Sequence, residues 1–112
     1  MGADSTLVFY GVRYQVTEEV ELEQLQAGKH PLVKAAKKVG LKTYWGNFGL
    51  DGNDLHLLYV GKQIASLGHE GISEFEISDT KFSETQLDVR RRLNRGGFTL
   101  RPALFGQFEA DL

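Results

Sequence analysis

Clustered cations are the side chains of this sequence best equipped for chemistry. Arg90-Arg91-Arg92-Leu93-Asn94-Arg95 packs four guanidinium groups into six residues, and Lys34, Lys37 and Lys38 lie within five. Such groups neutralise phosphates, so Lys34, Lys37, Lys38, Arg91, Arg92 and Arg95 are candidate nucleic-acid contacts. Their spacing also fits a plainer role. On a helical wheel the lysines oppose Leu32, Ala35, Ala36 and Val39, and the arginines share a face with Glu84 and Asp88, at i,i+3 and i,i+4 ion-pair spacing. Arg90 falls apart from them, between Gln86, Leu87 and Leu93, where a guanidinium needs a carboxylate, carbonyls or an anionic ligand.

A second constellation is Trp45, His56, Tyr59 and Arg90, which together would line a small-ligand pocket. Trp45 stands beside Gly46 and Asn47, a combination frequent in pockets and interfaces. The candidates for metal or acid–base work are His56, His69-Glu70 and the pair Asp51/Asp54. None has a helical His-x-x-x-His spacing or an EF-hand pattern, and Asp51-Gly52-Asn53-Asp54 reads as a turn. Ser66 and Ser73 lack a nucleophile-elbow context, and no glycine-rich loop leads into a helix. The chain has no cysteine, which removes thiolate nucleophiles, disulfides and iron–sulfur ligation. No catalytic residue, metal or cofactor is assigned.

The elements that must position these groups follow from periodicity. With 112 residues and a hydrophobic fraction of 41%, the chain makes one domain over residues 1–112. Its N-terminus, Met1 to Thr6, shows no leader pattern and no apolar run spans a membrane, so a cytoplasmic protein is expected. Alternation predicts a strand over Leu7–Val16, and the acidic run from Glu18 reads either as a short helix or, at Val20-Glu21-Leu22, as further alternation. Pro31 to Val39 is an amphipathic helix stopped by Gly40. Thr43 to Ser78 reads as a meander of three or four strands, with a two-residue turn at Gly61-Lys62, a turn at Gly68-Gly71 and an edge strand over Glu74–Ser78. Ser83 and Gln86 form a capping box that opens a helix over Glu84–Asn94, with Phe82 and Leu87 as its staple. Thr99 to Glu109 closes the chain as a strand placed at an edge by Pro102. The expected fold is α+β: one mostly antiparallel, strongly bent sheet of five to six strands with two helices, in the order β-α-β-β-β-β-α-β.

Tyr59-Val60-Gly61-Lys62-Gln63-Ile64-Ala65-Ser66-Leu67 resembles the second sequence motif of Sm-like proteins, in which a glycine turn joins two strands. Gly61 and Ile64 fit it. Val60 occupies the place of that family's RNA-contacting arginine, and Thr17 to Lys42 interrupts its strand order. The resemblance implies a bent, barrel-like sheet that assembles through strand edges, without the family's RNA site.

Charge is segregated along the chain. Residues 43–80 carry one lysine against six carboxylates, a surface that repels phosphate, so a nucleic acid would use the two basic helices. The leading expectation is a non-enzymatic binding or assembly module that forms a homo-oligomer through edge strands or an aromatic sheet surface. The alternatives are an RNA-binding protein using the two basic helices, and a receptor or enzyme with a pocket near Trp45 and Arg90.

Overall fold

The computed structural model describes residues 4–68 and 71–109; His69 and Glu70, with the centre of the turn expected there, lie outside them. The order is β1 (Ser5–Val16), α1 (Glu19–Gln26), α2 (Pro31–Lys38), β2 (Lys42–Asn47), β3 (His56–Leu67), α3 (Asp79–Arg95) and β4 (Ala103–Glu109). The strands form one antiparallel sheet in the order β2-β3-β1-β4. Among the described residues both edges stay open, β4 pairing with the first half of β1 and β2 with the first half of β3.

Each sheet face has its own core. On one, Tyr10, Val12, Val16, Leu58 and Val60 pack beneath Leu25 of α1, Ala36 of α2 and Val89 and Leu93 of α3. On the other, Leu7, Phe9, Leu57 and Tyr59 pack with Phe48, Tyr44, Leu55 and Phe105, all from the sheet and the β2–β3 loop. Aromatic rings fill this second face. Tyr59 is fully buried, with ring centroids 5.5 Å from Phe9, 5.5 Å from Phe105 and 6.1 Å from Phe48.

The expectation of a strongly bent sheet of five to six strands with two helices is overturned: the described residues form four strands in an open sheet and three helices. Three local readings explain the difference. Gly61 makes no turn, because β3 runs straight through it and pairs it with Gly11 of β1 and Lys42 of β2. A Cβ on Gly61 would lie 2.2 Å from the Tyr10 carbonyl oxygen, and one on Gly11 2.1 Å from that of Val60, so glycine serves the close approach of two backbones. The segment behind the Sm-like resemblance therefore lacks the turn that suggested it. Glu74–Ser78 alternates but finds no strand to pair with, and residues 72–78 have no regular structure. The acidic run forms α1, which leaves Leu25 buried beneath its polar side.

The helix α3 also starts earlier than the capping box predicts. Ser78 is its N-cap, accepting from the Lys81 amide at 3.1 Å. Phe82 is thereby drawn into the inner stripe with Thr85, Val89 and Leu93, its ring 5.6 Å from that of Tyr10, while Leu87 is left 52% exposed.

Candidate functional site

The predicted cations converge where α2 and α3 end. His30 caps α2, its Nδ1 accepting from the Leu32 amide at 3.1 Å and its Nε2 lying 3.3 Å from the Glu21 carboxylate; this buried residue, ahead of Pro31, was signalled only by that dipeptide. At the other end of α2 the chain leaves through Gly40 (φ 75°), with the Gly40 amide donating to the Lys37 carbonyl and the Leu41 amide to that of Ala36. Arg92 closes the corner. Its Nε donates to both Asp88 carboxylate oxygens at 3.0 Å, and its Nη1 donates to the Val39 carbonyl at 2.9 Å, tying the last turn of α2 to α3.

Around this junction lies a cleft of about 550 Å³ lined by the cationic Lys29, Lys34, Lys38 and Arg95 and by the aliphatic Pro31, Ala35 and Val39. A neighbouring space is lined by Lys37, Lys38, Arg92 and Arg95, and another by Asp88, Arg91 and Asn94, with Arg95 common to all three. Asp88 is the one carboxylate among these linings, and Arg92 already engages it. Helix C-termini carry about half a negative charge each, which accounts for cations gathering here but falls well short of neutralising seven.

The second constellation is dispersed. Trp45 packs against the helix-side core and Tyr59 belongs to the opposite one. His56 opens β3, paired with Val16 and Asn47. Arg90 is exposed, and its Nε donates to the Tyr10 hydroxyl at 3.1 Å. It lies beside the inner stripe of α3, so its guanidinium reaches back over the sheet. The Asp51–Asp54 loop is held by Asn47, whose carboxamide accepts from the Gly49 and Leu55 amides and donates to Asp54.

Across the aromatic face, hydroxyls link strands far apart in sequence. Tyr44 on the β2 edge donates to Glu109 on the β4 edge at 2.5 Å, and Tyr59 donates to Gln107 at 2.5 Å. Burial, then the hydrogen bond and charge of Glu109, push the Tyr44 phenol up to about 12. Burial also raises Tyr59, against the nearby Arg13 guanidinium, which itself sits 4.7 Å over the Phe105 ring. No local pattern in the sequence announces these pairs.

The outer edge of β4 is a second surface. Leu104 and Phe108 are 48% and 43% exposed on the helix-side face of the sheet, flanking Gly106, over which a Cβ would meet nothing within 4 Å. No helix among the described residues is long and apolar enough to cross a membrane. The chain matches no family model, no curated protein and no solved structure.

Proposed function

We propose that this chain is a non-enzymatic assembly module whose copies join through the outer edge of β4. The observation that carries the reading is the edge itself: a seven-residue strand with one side of its backbone unpaired among the described residues and two large apolar side chains exposed on one face. The sequence of β4 is self-complementary about Gly106. In a two-fold antiparallel pairing centred there, Leu104 faces the partner copy's Phe108 and Phe105 faces its Gln107, with the helix-side residues of both copies on one face. Each such apolar cross-strand pair contributes roughly 0.2–1 kcal/mol beyond the backbone hydrogen bonds.

Sedimentation velocity tests this. At about 100 μM the chain is expected to run at twice its 12.5 kDa mass, and the double variant Leu104→Thr/Phe108→Thr as a monomer with unchanged circular dichroism, threonine keeping strand propensity. The register has its own probe, because the chain has no cysteine. Gly106→Cys would place two thiols across the axis with Cα atoms about 4.5–5.5 Å apart, within disulfide range, so oxidation should cross-link it quantitatively. A wild-type chain that stays monomeric at that concentration refutes the proposal.

A further inference from the structure

We propose that the cleft between the C-terminal ends of α2 and α3 binds the phosphodiester backbone of a nucleic acid. The inference stands on this corner of the molecule and is independent of the β4 edge. Residues 53 positions apart or more, on two helices, meet there: Lys34 and Lys38 from α2, Arg91 and Arg95 from α3. Each pair is spaced i,i+4, so each helix presents two cations about 5–6 Å apart at their Cβ atoms. Arg95 joins the two rows, because it lines all three adjoining spaces.

The arrangement selects among anions. A single phosphate needs two or three donors, whereas here seven cations line three spaces of about 550, 630 and 450 Å³ that have Arg95 in common, with one carboxylate already paired. An extended polyanion matches that footprint. The uncharged lining of the first space, Pro31, Ala35 and Val39, is aliphatic, and no aromatic ring among the described residues lines any of the three, so bases have nothing to stack on and the contact is with backbone. A lipid surface fits less well. An interfacial helix inserts its apolar stripe, and that of α2 is already spent on the protein core, Ala36 being fully buried there. Arg92 completes the site by holding the two helix ends at a fixed separation, with its own charge shared between Asp88 and the Val39 carbonyl.

The test is fluorescence anisotropy with labelled mixed-sequence oligonucleotides, single-stranded RNA in one arm and duplex RNA in the other, at salt concentrations from about 50 to 200 mM. Micromolar binding at the lowest salt is expected, with little dependence on sequence. If about four phosphates of a single strand are neutralised, log K should fall against log salt with a slope of roughly −3. The double variant Lys34→Glu/Lys38→Glu should lose binding at least tenfold, and Lys34→Arg/Lys38→Arg should retain it. Both sites are exposed, so unchanged circular dichroism confirms that the fold is intact. Sodium pyrophosphate should compete only at far higher concentration than oligonucleotide. The proposal fails if neither RNA binds at low salt, if the charge-reversed variant binds as the wild type does, if pyrophosphate competes as well as an oligonucleotide, or if anionic phospholipid vesicles bind while RNA does not.

Discussion

Arg92 and Tyr44 show how much a single polar side chain can organise. Arg92 meets three acceptors on two helices. Its pair with Asp88 is largely solvent-exposed and worth only tenths of a kcal/mol, whereas its bond to the Val39 carbonyl satisfies a helix-end group that lacks an intrahelical partner. Tyr44 spans the aromatic face to reach Glu109 on the far edge strand. Because its folded phenol titrates near 12 rather than 10, its neutral form is favoured by the fold. That contribution is fully present below pH 10 and is lost as pH rises from 10 through about 12. Absorbance at the tyrosinate band should therefore show tyrosines that titrate late, and Glu109→Gln should lower the Tyr44 midpoint only part of the way toward 10, because burial, the largest cause of its shift, remains. A titration unchanged by that substitution would dissociate Glu109 from the shift.

Among the elements, β3 depends on a pair of residues with no side chain. Gly11 and Gly61 face each other, and each is approached by the other strand's backbone to a distance no Cβ permits. Gly61→Ala is expected to destabilise the fold by roughly 2–3 kcal/mol, the range of forced overpacking against a backbone that cannot yield. At an exposed turn the same change would cost about 1 kcal/mol or less, so chemical denaturation discriminates strand from turn. The helices were far more legible. Pro31 and Gly40 bracket α2 in the sequence and in the structure, because capping and termination are made by residues a few positions away. Gly61 and Glu74–Ser78 were misread for the converse reason: whether glycine turns a chain, or alternation makes a strand, is settled by a backbone many residues distant.

At the scale of the molecule, two surfaces of different character share no lining residue: the apolar edge of β4 and the cationic cleft at the end of the two helices. The two proposed activities should accordingly separate. Leu104→Thr/Phe108→Thr is expected to keep its low-salt affinity per chain for RNA within a few fold, and Lys34→Glu/Lys38→Glu to remain dimeric in sedimentation. Loss of both properties in either variant would mean that one surface depends on the other. The sequence by itself determined the α+β class, the basic outer stripe of α2, the Asp88–Arg92 ion pair and the edge position of the Pro102 strand, since each rests on periodicity or on neighbours within a turn or two. Only the tertiary structure decided that the lysines of α2 and the arginines of α3 line one cleft, that Arg90 serves Tyr10, and that Trp45 and Tyr59 lie on opposite faces. Those relations join residues from 14 to 80 positions apart, and contacts at such separation are set by how whole elements pack, which leaves no periodic trace in the chain.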